Sequence, residues 1–226
     1  MTITTIVLAA GRGVRLGGPK ALLVYPVAPE REVPLAAAHA ERRRAAESDQ
    51  VLIVTRADIA AALARHAPGL EAEVVVSSAP DEDGPAGSIQ AAWRHLGGAG
   101  SDTRSGTSAA AQRVVITPVD CPPAQPGTVR ALLNALTGDR NLQATRPRCG
   151  PRRGHPVVLR LTALAPFGAA RPPPLRDLLR ELGDQVADVE VADPTVLLDL
   201  DRPDDQAAWA QSQGLEMAGP PRFFLP

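Results

Sequence analysis

Aromatic residues are scarce in this sequence, 3% of the chain as three Phe, two Trp and one Tyr. Hydrophobic residues reach 44% over 226 positions. The core must therefore be assembled from Ala, Leu and Val, and the length suits one ordinary domain. There are only two cysteines, Cys121 and Cys149, without the paired spacing of a metal site. Reduced thiols in a cytoplasmic protein are expected. Long apolar runs are missing near the N-terminus. The stretch at 6–10, Ile-Val-Leu-Ala-Ala, is too short for a signal peptide or a membrane span. No sign of charge dominates, and a net charge of −1 excludes the basic face of a general nucleic-acid binder. Lysine is rarest of all. The chain holds 24 Lys and Arg residues, and Lys20 is the one lysine.

That lysine closes a glycine-rich stretch, Leu8-Ala9-Ala10-Gly11-Arg12-Gly13-Val14-Arg15-Leu16-Gly17-Gly18-Pro19-Lys20. A short β-branched run, residues 4–8, precedes it and reads as a buried strand. Glycines let backbone N–H groups approach an anion closely, since no Cβ intervenes. A compact ammonium is not interchangeable with a guanidinium at a phosphate. Two familiar glycine loops are excluded. Gly13 and Gly18 have P-loop separation, but Pro19 intervenes and Ala21 replaces the hydroxyl that would hold Mg²⁺. Gly11 and Gly13 begin a dinucleotide fingerprint, and Leu16 breaks it.

Strand and helix patterns alternate downstream. Strands are expected at 51–54, 73–76 and 113–117, with helices at 35–47, 58–66, 89–96 and 128–136. This is the pattern of an α/β protein, a three-layer Rossmann-like domain with a mostly parallel sheet. Later strands at 142–145, 157–159, 186–191 and 196–198 lie closer together and suit an antiparallel edge. Helices are expected at 175–182 and 204–211. Pro26, Pro29 and Pro34 are expected to hold a loop open before the first helix. Arg42, Arg43 and Arg44 read as a solvated helix face. The segment 97–111 reads as a mobile surface loop without a catalytic group. One domain spans 1–213, and 214–226 is a tail whose Phe223-Phe224-Leu225 suits packing on the domain or on a partner subunit.

Four places could carry chemistry besides the first loop. The polar segment 77–88 ends in Gly87 and Ser88 at a helix start, a site for an anion or a base edge. Asp120 follows strand 113–117 and points into the crevice where such sheets bind ligands. Arg146, Arg148, Arg152 and Arg153 surround Gly154-His155-Pro156, which reads as a surface for an anionic substrate. Asp199 and Asp201, at alternate positions, share one side of an extended chain.

The first loop, through Leu22, resembles the signature of the MobA-like nucleotidyltransferases, a branch of the nucleotide-diphospho-sugar transferase family. Gly84-Pro85-Ala86-Gly87-Ser88-Ile89, Asp120, Gly154-His155-Pro156 and Asp199-Leu200-Asp201-Arg202-Pro203 resemble later motifs of that family in the same order. The resemblance implies transfer of a nucleotidyl group from an NTP to a small phosphate-bearing acceptor, with release of pyrophosphate. It implies that Leu8, Ala9, Ala10, Gly11, Gly13, Arg15, Lys20, Gly87 and Ser88 hold the nucleotide. Lys20 and the loop would take the β- and γ-phosphates, and Arg15 the charge on leaving pyrophosphate. Asp120 would hold the catalytic Mg²⁺, with Asp201 as its partner and Asp199 the second choice. Arg153, Gly154 and His155 would face the acceptor. Arg15, Lys20 and Asp120 are then the catalytic residues. Leu-Ala-Ala-Gly, where the guanylyl enzymes have Leu-Ala-Gly-Gly, favours CTP, and the Gly-His-Pro corner favours molybdopterin or molybdenum cofactor as acceptor. A sugar or polyol phosphate is the alternative acceptor. A non-catalytic chaperone that delivers the cofactor to a molybdoenzyme partner is the alternative function.

Overall fold

The computed structural model describes residues 2–28, 30–45, 48–79, 84–98, 111–212 and 222–224. Most of the 97–111 loop and of the 214–226 tail therefore lies outside the described residues. The strands are β1 (Thr2–Leu8), β2 (Val24–Ala28), β3 (Arg31–Pro34), β4 (Gln50–Thr55), β5 (Glu73–Val76), β6 (Gln112–Pro118), β7 (Ala144–Cys149), β8 (Arg152–Arg153), β9 (Val157–Arg160) and β10 (Val186–Glu190). The helices are α1 (Leu35–Ala45), α2 (Ala57–His66), α3 (Gly84–His95), α4 (Pro126–Gly138), α5 (Leu175–Leu182) and α6 (Pro203–Ser212).

The main sheet runs β10-β7-β9-β6-β1-β4-β5, with β8 paired to β7. Strands β6, β1, β4 and β5 are parallel neighbours. This half is the βαβ arrangement that the alternating pattern predicts. The antiparallel strand is β9, and it sits inside the sheet between β6 and β7, not at the edge. The edge strand β10 is parallel to β7.

Side chains on successive strand residues face opposite ways, and here both faces are covered. Val7, Val51 and Ile53 pack against α1, α2 and α6, and Val115 and Val158 against α4. Ile6, Leu52, Val54, Val114, Ile116 and Leu159 pack against α3, α5 and the 3₁₀ segment Leu161–Gly168. Burial on both sides is why these strands read as continuous apolar runs rather than as alternating ones.

Several local expectations are corrected. Residues 24–34 form an antiparallel β2–β3 hairpin, not a loop held open by prolines. Arg43 is fully buried rather than solvated. Burial, aided by the Arg42 charge and opposed by Asp193, lowers its pKa to about 10. Helix α3 begins at Gly84, five residues before its expected start. Strand β7 begins at Ala144 and continues through Cys149. The expected strand at 196–198 is instead a 3₁₀ turn over Pro194–Leu197. Among the described residues no helix is long and apolar enough to cross a membrane.

Candidate active site

The parallel strands β1, β4, β5 and β6 end on one side of the molecule, and a cleft of about 480 Å³ opens there. Its first wall is the glycine loop. Leu8, Ala10, Gly11, Arg12, Gly13 and Val14 line it. Ala9 does not. Its N–H donates to the Val54 carbonyl at 2.8 Å, its carbonyl accepts from Thr55 Oγ1 at 2.8 Å, and its side chain is buried. Ala9 therefore belongs to the sheet, which corrects its expected contact with nucleotide. The loop folds on the carbonyl of Gly13, which accepts from Leu16 N at 2.9 Å and Gly18 N at 3.3 Å. Gly13 has a φ of +59°, and a Cβ there would overlap the Gly18 carbonyl, so only glycine fits. Arg15 lies in the 3₁₀ turn Val14–Leu16, and its side chain is outside the described residues.

At the floor, Lys20 meets two carboxylates that are 81 residues apart in sequence. Its Nζ donates to Asp120 Oδ2 at 2.8 Å and to Asp201 Oδ1. Partial burial works to lower the Lys20 pKa, but the hydrogen bonds it donates to both acids, and their charges, outweigh it and the net shift is upward. Asp120 follows β6. The neighbouring Val119 carbonyl accepts from buried His39 Nε2 at 3.1 Å, and Val119 N donates to the Leu8 carbonyl at 3.0 Å. Asp201 is brought in by Leu200, whose side chain is buried and whose N–H donates to the Asp120 carbonyl at 2.8 Å.

The opposite wall is made by Arg56, Ser77, Ala79, Gly84, Pro85 and Ser88. Ser88 is where the sequence places it, at the first turns of α3. Gly87 is buried inside α3, which starts three residues earlier. The open residues at that N-terminus are Gly84 and Pro85. Arg56 is a site residue that the sequence reading missed. It follows β4 and caps the start of α2, its guanidinium pairs with Asp58 at 2.8 Å, and its buried Nη1 has no hydrogen-bond partner among the described residues. Its position at the C-terminal end of a parallel strand was the available signal.

The acidic floor has hard donors for a cation. Asp120, Cys121 and Asp199 place ligand atoms within 4.8 Å of one another. Burial, and then the charges of Asp120 and Asp199, push the Cys121 thiol pKa upward. The thiol stays protonated and donates to Asp199 Oδ1 at 3.3 Å. The oxygen donors that suit Mg²⁺ are then the carboxylates. Asp120 is common to both groupings, so the residues fit such an ion.

His155 stands behind this floor. Burial lowers its pKa, while the nearby charges of Asp199 and Asp120 act the other way. Its Nδ1 is buried and has no hydrogen-bond partner among the described residues. Its N–H donates to the Val196 carbonyl at 2.9 Å. Gly154 packs so tightly on that carbonyl that a Cβ would overlap it, so backbone lies against backbone there. Buried Asp193 fixes the other side of the same turn, accepting from Gln125 N at 3.0 Å, Thr128 Oγ1 at 2.8 Å and Thr195 N at 3.1 Å. The Gly-His-Pro corner thus shores up the segment that carries Asp199 and Asp201.

The arginine surface is largely paired with carboxylates. Arg146 pairs with Asp188 at 2.6 Å, Arg153 with Asp188 at 2.9 Å and Arg148 with Glu190 at 3.0 Å. Of the four arginines only Arg152 lacks an ion pair among the described residues.

The model of the MobA-like NTP transferase domain matches residues 5–186. The chain belongs to this family. Family membership places it among the nucleotidyltransferases, and the α/β architecture agrees. No curated protein sequence matches it. Among solved structures it is similar to Rv0371C from Mycobacterium tuberculosis in complex with manganese. That match has 22% identity and a TM-score of 0.65, over 94% of this chain and 100% of that one. It is also similar to 2-C-methyl-D-erythritol 4-phosphate cytidylyltransferase from Thermus thermophilus, with 18% identity, TM-score 0.61 and coverage of 94% and 98%. A third is molybdopterin-guanine dinucleotide biosynthesis protein A from Archaeoglobus fulgidus, with 17% identity, TM-score 0.61 and coverage of 93% and 98%. At these identities the likenesses establish the fold.

Proposed function

We propose that the cleft binds a nucleoside triphosphate, CTP by preference, and that the protein transfers its nucleotidyl group to molybdenum cofactor or molybdopterin. One observation carries this reading. The glycine loop, the α3 N-terminus and the Lys20–Asp120–Asp201 cluster all face the same cleft. Backbone N–H groups of the loop and the α3 terminus suit the triphosphate. Lys20 supplies positive charge to the β- and γ-phosphates, and Arg15 to the leaving pyrophosphate. Arg56 offers a further donor through Nη1. Asp120 would hold Mg²⁺ with Asp201, or with Asp199 in its place, and the ion would supply positive charge against the α-phosphate.

An oxygen of the acceptor phosphate attacks the α-phosphorus, and the bond to the β-phosphate oxygen breaks. A phosphate monoester has its second pKa near 6, so at neutral pH it is mostly a dianion already. No base is needed to take a proton. His155, kept neutral by burial, is suited to orient the acceptor. Ala10 lines the cleft, which supports the Leu-Ala-Ala-Gly preference for cytidine. With Arg146, Arg148 and Arg153 engaged by carboxylates, a small polyol phosphate is the second reading for the acceptor. The fold shared with the Thermus cytidylyltransferase favours that alternative.

The test is pyrophosphate release from each of four NTPs, with molybdenum cofactor present and absent. Release is expected with CTP first and only with acceptor and Mg²⁺. Tight binding of the cofactor without release from any NTP would make the protein a carrier instead.

A further inference from the structure

The chain has six aromatic residues, and four of them gather on one side of the sheet. Tyr25 stacks on Trp209 with ring centroids 4.7 Å apart, and Phe223 and Phe224 pack on the same cluster. The last two belong to residues 222–224, which lie far from the site in sequence. Val24 N donates to the Arg222 carbonyl at 2.8 Å, and Phe224 N donates to the Leu22 carbonyl at 2.9 Å. Leu23 and Phe223 form an antiparallel bridge. These three residues therefore pair with the segment that immediately follows the Lys20–Leu22 turn. The Phe223 ring sits against Gly18, close enough that a Cβ on Gly18 would lie 3.0 Å from it. Phe224 packs on His66 with centroids 5.2 Å apart, and Arg222 pairs with Glu32.

We infer that residues 222–224 are a strap that positions Lys20 and the downstream end of the glycine loop, with Phe223 as its anchor. The inference rests on the nucleotide reading of that loop. Glycines at 17 and 18 leave the loop end with little side-chain packing of its own. Without an external contact the chain there would sample many conformations, and ligand binding would bear the cost of ordering it. The strap supplies that contact from the outer side of the loop. Its backbone bonds fix residues 22 and 24, and its ring fixes residue 18, so Lys20 is held between two anchored points. Phe223 does not itself line the cleft. It is a positioning residue.

Hydrogen exchange on the full-length, nucleotide-free protein tests the strap, and nucleotide titration tests what it does. In Phe223→Ala, amides of residues 13–24 should exchange faster, while those of β9 and β10 keep the wild-type rate. CTP should bind roughly tenfold more weakly, the scale of a modest loss of preorganisation, with the turnover number at saturation nearly unchanged. Phe223→Leu, which keeps most of the apolar contact, should restore both. Gly18→Ala should weaken CTP binding in the wild type by crowding the ring and have a smaller effect in Phe223→Ala, where the ring is gone. Unchanged exchange over 13–24 would overturn the strap. Faster exchange with unchanged CTP affinity would overturn its positioning role. If the wild type binds no nucleotide, the functional reading fails while the exchange result still decides the strap.

Discussion

Two clusters of ion pairs differ in their balance of charge. On the cleft floor one cation, Lys20, faces two carboxylates, Asp120 and Asp201. On the β7–β8 ribbon three cations, Arg146, Arg148 and Arg153, face two carboxylates, Asp188 and Glu190. The first cluster holds an excess of negative charge in a concave, partly buried place, which attracts a second cation. The second lies along a ladder in which Asp188 is the register partner of Arg146, and Glu190 of Arg148. Such cross-strand pairs hold a sheet edge together. In sequence both the lone lysine and the run of arginines read as places for an anion. In the folded chain carboxylates 42 residues away close the arginine ladder, whereas Lys20 bridges two acids on the cleft floor.

The sharpest way to break this contrast is Asp120→Asn. Nucleotidyl transfer should fall by more than roughly a hundredfold, and Mn²⁺ affinity followed by spin resonance should drop with it. Asp201→Asn should give a smaller loss of the same kind. Transfer that persists in EDTA would remove the two-carboxylate reading. Lys20→Ala comes next. Nucleotide affinity should fall roughly tenfold or more, while the folded structure, followed by circular dichroism, stays that of the wild type. Lys20→Arg should not restore binding, because a fork replaces a point charge. A wild-type titration curve for either variant would show that the loop does not hold phosphate.

His155→Ala sharpens the comparison between nucleotide and acceptor. The acceptor KM should rise several-fold with NTP affinity unchanged. A kcat loss of about a hundredfold, with disappearance of a near-neutral pKa from the pH profile, would make it a general base. The smallest effects belong to the ribbon. Glu190→Ala should cost about 0–1 kcal/mol in chemical denaturation, the range for exposed pairs, and leave turnover unaltered. Asp188 accepts from two arginines. Burial would raise its pKa, but hydrogen bonds from Arg146 and Arg153 outweigh it and the net shift is down. Its contribution to stability is therefore complete above the ordinary aspartate pKa of about 3.9 and is lost as pH falls through the lower folded value. Asp188→Asn should flatten that acid limb. A large activity loss in either ribbon variant would return the arginines to the acceptor site.

The parallel half of the fold was legible in the sequence because its strands are buried on both faces and separated by helices with clear periods. The β7–β10 half was less so. Pro147 and two arginines mask β7, and the antiparallel β9 slots between β6 and β7 through pairings that no local pattern announces. At the site, Gly13, Lys20, Asp120 and Ser88 could be read from local motifs. Ala9 could not, because the loop leaves the sheet one residue later than the glycines suggest. Arg56 and Asp188 were hidden because their surroundings depend on which strands are neighbours, and no local pattern gives that. Asp193, which ties the 194–197 turn to the start of α4, looks in sequence like an ordinary loop aspartate.

The most direct measurement is transfer of label from α-phosphate-labelled CTP to molybdenum cofactor, with Mg²⁺, by wild type and Asp120→Asn side by side. Label should appear in the acceptor, one pyrophosphate should be released for each label transferred, and Asp120→Asn should show neither. Label that remains in CTP while the wild type binds both molecules tightly would contradict the account, and so would equal transfer by the two proteins.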